Sequence, residues 1–124
     1  MGLKPYGFGQ DERLKKSDQF ALVRKRGKRF ASKHLTVYIL ANDVGKTRLG
    51  LAVSSAVGNS VERNRIKRLT REFFRLNKDG LQRSMDLLVT VKHGAGAALS
   101  VYKTVEQELM AALRTFSAGE GGRR

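Results

Sequence analysis

Six Lys or Arg side chains fall between positions 63 and 75: Arg63, Arg65, Lys67, Arg68, Arg71 and Arg75. One acid, Glu72, stands among them. Five of the six are Arg, whose planar guanidinium forks onto phosphate oxygens and stacks on bases. Like charges at helical spacing each cost roughly 0.2–0.5 kcal/mol, so such a run calls for an anion. The chemistry on offer is phosphate binding, with Asn59 and Asn64 as neutral donors in the same stretch. Groups that could break a bond are scarce. His34 and His93 have no nucleophile or carboxylate beside them in a motif, so neither is expected to be catalytic. The 11 acids form no paired motif of the kind a two-metal nuclease needs. The chain has no Cys, which excludes disulfides and thiolate metal sites.

The wider composition agrees. With 25 Lys and Arg against 11 Asp and Glu, the 124 residues carry a net charge of +14. A chain so basic repels itself and attracts polyanions. Nucleic acid is the leading partner class and an anionic membrane the second. The 40% hydrophobic content suits a globular domain, and the length suits one of them. No apolar run is long enough to span a membrane. The first ten residues lack the apolar core of a signal peptide. The expected setting is the cytoplasm.

Several elements must position the basic run. Residues 1–12, rich in Gly, read as a flexible segment, and 117–124, ending GEGGRR, as a disordered tail. Ser17 is a candidate N-cap for a helix from Asp18 to about Arg26, with Gly27 as its stop. Lys28 to Ala31 reads as a short strand. His34 to Ala41 is a strand that places Leu35, Val37 and Ile39 on one face, and Thr36, Tyr38 and Leu40 on the other. The turn residues Asn42-Asp43-Val44-Gly45 predict a hairpin to a return strand, Thr47 to Ser54. The basic helix should run from about Ser60 to Asn77, stopped by Lys78-Asp79-Gly80. At 100° per residue, Ile66, Leu69, Phe73 and Leu76 form its apolar stripe. Asn64, Arg68, Arg71 and Arg75 lie nearly opposite. The amides at Gly58-Asn59-Ser60 offer a second phosphate seat. Met85 to Val91 is nearly all apolar and should be buried on both faces. Ser100 is a candidate cap for a last helix to about Thr115. The expected class is α+β, helix–hairpin–helix–strand–helix, with helices packed on a four-stranded sheet.

The stretch VGNSVERNRIKRLTRE, from Val57 to Glu72, resembles the Arg-Asn-Arg signature helix of the bacterial ribonuclease P protein family. The matching residues are Gly58, Asn59, Val61, Arg63, Asn64, Arg65, Ile66, Lys67, Arg68, Arg71 and Glu72. RLKKSDQF, Arg13 to Phe20, is similar to that family's first segment. Gly50, Leu51, Val53 and Ser54 are similar to the strand before the signature. The resemblance covers about Arg13 to Phe116. It implies a left-handed crossover through the signature helix. It also implies the protein subunit of a ribonucleoprotein whose RNA cleaves the 5′ leader from precursor tRNA with Mg²⁺. The catalytic RNA would bind Asn59, Arg63, Asn64, Arg65, Lys67, Arg68, Arg71 and Arg75. The leader would lie against Phe20, Arg24, Tyr38 and Lys92. Two departures stand out. Ser55 and Ala56 replace a common pair of lysines, and Arg24 replaces a common second aromatic.

Other classes follow from the residues alone. A ribosomal or other structural RNA-binding protein would also carry a basic helix. A DNA-binding protein could lay Asn59 to Arg75 in a major groove, but a strand, not a short helix, precedes the run. An autonomous nuclease is disfavoured by the absence of a carboxylate motif. Neither DNA nor a membrane is the expected partner.

Overall fold

The computed structural model describes residues 13–14, 17–77 and 84–122. The expected flexible segment 1–12, the helix stop at Lys78-Asp79-Gly80 and the capping side chain of Ser17 lie outside the described residues. The element order is α1 (Ser17–Arg26), β1 (Lys28–Ala31), β2 (Leu35–Ala41), β3 (Arg48–Ala52), α2 (Ser60–Asn77), β4 (Met85–Val91) and α3 (Tyr102–Gly122). Three helices on a four-stranded mixed sheet give the α+β fold expected.

The sheet order is β1-β2-β4-β3. This corrects the hairpin. β2 and β3 do not pair; β4 lies between them, antiparallel to β2 and parallel to β3. The tight hairpin is β1–β2, with Phe30 opposite Val37. The reason lies in β4 itself. Six of its seven residues are buried, so it needs cover on both faces and both edges, which only a central strand receives. The chain after β2 therefore passes the end of β4 before returning. Asn42 supports that passage: its side-chain oxygen accepts from the Val44 amide at 3.0 Å, and its own amide donates to the Ser84 carbonyl at 3.1 Å.

Strand alternation divides the core as the sequence predicts. Leu35, Val37, Ile39, Leu87 and Val89 join α2 and α3 on one face. On the other, Leu88 packs with Leu14 and Val23, flanked by Phe20, Tyr38 and Leu40. Gly50 makes the second packing close: a Cβ there would meet Leu14 and Phe20 side-chain atoms at 3.0 Å.

Two helix readings need correction. The apolar stripe of α2 is Ile66, Thr70, Phe73 and Phe74, with Leu69 only partly buried. Leu76 is 56% exposed. Phe74 takes its place, set edge-on against Phe73 at 5.2 Å. Thr70 enters the stripe because its hydroxyl donates to the Ile66 carbonyl at 2.8 Å and leaves no polar group unpaired. In α3, Ser100 is not the cap. It belongs to a 3₁₀ turn, Ala98–Ser100, and its hydroxyl donates to the Gly96 carbonyl. The helix then runs to Gly122, into the stretch expected as a disordered tail. Once packing through Phe116 has fixed the early turns, each added residue extends an existing helix without a new nucleus.

Candidate nucleic-acid interface

The signature helix begins in a closed cap. The Asn59 side-chain oxygen accepts from the Glu62 amide at 2.8 Å, and the Glu62 carboxylate accepts from the Asn59 amide at 3.2 Å. This reciprocal pair is a capping box. It bears on two expectations about the helix start. Of the amides thought to offer a second phosphate seat, that of Asn59 already holds a carboxylate of the protein. Asn59, expected to contact RNA, gives its side-chain oxygen, and not its NH₂ group, to the cap. Glu62 fits because Gly58 and Gly96 leave room; a Cβ on Gly96 would meet its carboxylate at 2.6 Å. The loop after β4 holds this niche in place. Gly94, at φ +77°, turns the chain back so that its amide reaches the Ala56 carbonyl at 3.0 Å. Gly96 then donates to the Val57 carbonyl at 2.9 Å. Ser55 and Ala56 thus form a short 3₁₀ turn docked on that loop.

Beyond the cap, the basic side chains divide. Arg63 turns back to the Gly58 carbonyl at 3.2 Å, and Arg65 reaches the Ser100 carbonyl at 2.6 Å, tying α2 to the approach to α3. Each guanidinium keeps further donors. Asn64 and Arg68 are exposed. Arg75 pairs with Glu72, one turn away on the same helix. That bond holds the Glu72 carboxyl below its ordinary range. Arg13, Arg68, Arg71 and Arg75 then line an open groove of about 380 Å³ with Glu72.

Arg71 is a strained cation. Burial pushes its guanidinium down from the ordinary value, and the neighbouring Arg13 adds to this. No carboxylate pairs with it among the described residues. Both residues also line a second cavity, about 160 Å³, with Leu14, Phe20, Leu51 and Lys67. This joins what the sequence kept apart. Phe20 sits on α1 and Lys67 and Arg71 on α2, on opposite faces of the sheet. They meet around the outer edge of β3, where Arg13 bridges Leu49.

The other leader candidates are spread out. Tyr38 is half-buried on β2 with the Arg24 guanidinium 5.7 Å from its ring centre. β4 separates it from Phe20 on the β3 side. Lys92 is exposed and donates to the Ser32 carbonyl at 2.5 Å, so it stands at the β1–β2 turn. There His34 is structural. Its Nδ1 meets Glu108 at 2.5 Å, and the same carboxylate accepts from Ser32 and from the His34 and Leu35 amides. Burial alone would raise the Glu108 pKa. The bonds from Ser32 and His34 outweigh it and hold the carboxyl below its ordinary range. Sequence spacing held no signal for this bond, because His34 and Glu108 lie 74 residues apart.

Comparison with known proteins agrees with this geometry. The Ribonuclease P family model matches residues 8–117. The chain belongs to the ribonuclease P protein family. Curated relatives named ribonuclease P protein component include that of Syntrophus aciditrophicus, 42% identical over 73% of this chain and 76% of its own. That of Dictyoglomus turgidum is 43% identical over 76% and 77%. Among solved structures, the Staphylococcus aureus RNase P protein superposes with a TM-score of 0.75 at 30% identity, covering 84% of this chain and 94% of its own. The Thermotoga maritima protein gives 0.73 at 29%, over 84% and 96%.

The family resemblance implies Mg²⁺, and the donor set bears on where it would sit. Among the described residues no three His, Asp or Glu side chains come together as a metal site. Glu62, Asp86 and Glu108 are committed to the helix cap, to Arg48 and Asn42, and to His34. These residues do not fit a resident Mg²⁺. No helix among them is long and apolar enough to cross a membrane.

Proposed function

We propose that the chain serves ribonuclease P by holding two RNAs at once. The catalytic RNA lies along α2, against Asn64, Arg65, Arg68, Arg71 and Arg75, with Arg63 and Lys67 on the flanks. The 5′ leader of precursor tRNA lies on the α1 side, against Phe20, Tyr38, Arg24 and Lys92. The observation that carries this reading is Arg71 beside Arg13, two cations with no carboxylate partner among the described residues, in a cavity that also holds Phe20. A phosphate relieves that repulsion, and an aromatic ring beside it suits an adjoining base. Cleavage belongs to the RNA, with Mg²⁺ held by RNA and substrate. The chain contributes affinity, orientation and charge neutralisation. The setting is the cytoplasm.

The test is reconstitution with a ribonuclease P RNA at low Mg²⁺. The chain should restore cleavage of precursor tRNA and tighten its binding while leaving mature tRNA affinity almost unchanged. A protein that binds the RNA yet leaves cleavage unaltered would instead be a structural RNA-binding protein.

A further inference from the structure

A second concentration of charge lies away from the signature helix. Arg24, Lys25, Arg26, Lys28 and Arg29 are all exposed, and none has a carboxylate partner among the described residues. Two ordinary explanations cover part of this. Cations in the last turn of α1 suit its dipole. A lysine such as Lys28 on an edge strand discourages pairing with another chain.

Neither explains Arg29. It is the register partner of Tyr38, so both side chains stand on the α1 face of the sheet. Directly opposed residues place their Cβ atoms about 4.5–5.5 Å apart. Arg24 reaches the same ring from the helix, 5.7 Å from its centre. One guanidinium therefore sits over a half-exposed aromatic, and a second arginine stands in register beside it on the same face. Gly27 makes this arrangement possible. Its amide closes α1 on the Val23 carbonyl at 2.8 Å. A Cβ there would meet that carbonyl at 2.6 Å and the Ile39 carbonyl at 3.0 Å. The chain thus passes from helix to strand within one residue and brings two basic segments side by side.

We propose that this turn from α1 into β1 binds phosphates of leader nucleotides farther from the cleavage site than those at Phe20. The inference rests on the leader reading above. Continuity with Tyr38 favours the leader over the catalytic RNA, because α2 lies across the sheet. A single strand passing over Tyr38 meets Arg29 next, then the edge of β1.

The experiment measures holoenzyme affinity for two precursor tRNAs, one with a leader of a few nucleotides and one several times longer. Arg29→Ala and the pair Lys25→Ala/Arg26→Ala should each weaken only the long-leader substrate. The loss should be about two- to fivefold per charge, the range of an exposed ion pair. The salt slope should fall by about 0.7 per lost single-strand phosphate contact. Arg29→Lys should recover part of the loss. Circular dichroism checks that each variant folds. Equal losses on both substrates, or weaker binding of the catalytic RNA, would move the surface to that RNA and overturn the proposal. No loss on either would also overturn it. Phe20→Ala separates the two readings: if it weakens both precursors while the basic variants change neither, the groove stands and this extension falls.

Discussion

Beneath α2 and α3 the sheet buries Phe73, Phe74, Leu87, Val89, Leu99 and Leu109 to 1% exposure or less. Beneath α1 the buried hydrophobic cluster among the described residues is just Leu14, Val23 and Leu88, and Phe20 and Tyr38 stay half-covered at the margin. The first face spends its aromatic rings on the core, where a ring contributes most by excluding water. The second keeps its rings at the surface, where they can stack. The difference teaches that one side of the sheet stores most of the stability, while the other leaves its rings open to the stacking proposed for the leader. Residues of similar type are thus buried to different extents according to the face they occupy.

That contrast can be broken most sharply with two phenylalanines. Phe73→Ala should cost about 3–5 kcal/mol of fold stability, read from the denaturant midpoint. A change well below that range would mean the α2 face is not the one that stores stability. Phe20→Ala should barely move unfolding and should instead weaken precursor tRNA binding by about 5- to 150-fold, the effect of one lost stacking platform. Equal weakening of mature tRNA would remove Phe20 from the leader surface. Because Phe20 shares a cavity with Lys67 and Arg71, binding of the catalytic RNA must be measured alongside.

Smaller effects sharpen the comparison. Arg68→Ala should lower the salt slope of RNA binding by about 0.7–0.9 without altering the unfolding midpoint. An unchanged slope would mean that Arg68 touches no phosphate. The Glu108 carboxyl, held below its ordinary value of 4.5 by Ser32 and His34 against the effect of burial, gives stability that is complete above that value. It is lost as pH falls through the folded-state pKa. Glu108→Gln should therefore be less stable near neutrality yet lose less on acidification. Parallel acid profiles for the two proteins would show that this carboxyl is not what fails in acid. Smallest of all, His93→Ala should leave maximal holoenzyme cleavage within about threefold, since a lost general acid or base typically costs 10²–10⁴. A hundredfold loss in the chemical step would return catalysis to the protein.

Much of the fold was legible because its signals are local. The Ser60–Asn77 limits of α2 follow from Gly58-Asn59 before the run and the sequence Lys78-Asp79-Gly80 after it, and the faces of β2 follow from alternation. The strand order was not legible from neighbouring turn residues. It was implicit in β4, whose apolar character on both faces already required the central place. The choice of Leu76 over Phe74 had another cause. Periodicity gives the angle between side chains but not where the partner layer ends, and Leu76 lies beyond it. Within the candidate site, the arginines were evident from type and spacing. The meeting of Phe20 with Lys67 and Arg71 around β3 was not, because it depends on an edge that only tertiary packing creates.

The Glu62 cap in its glycine niche has a thermodynamic consequence for assembly. A helix whose first turn is closed by its own carboxylate is ordered before RNA arrives. Association then draws on none of its binding free energy to convert coil into helix. Calorimetry of assembly should show a heat-capacity change close to that of two rigid surfaces meeting, without the large negative contribution of coupled folding. The niche thus makes α2 a prepared template, and any slow conformational step in assembly falls to the RNA.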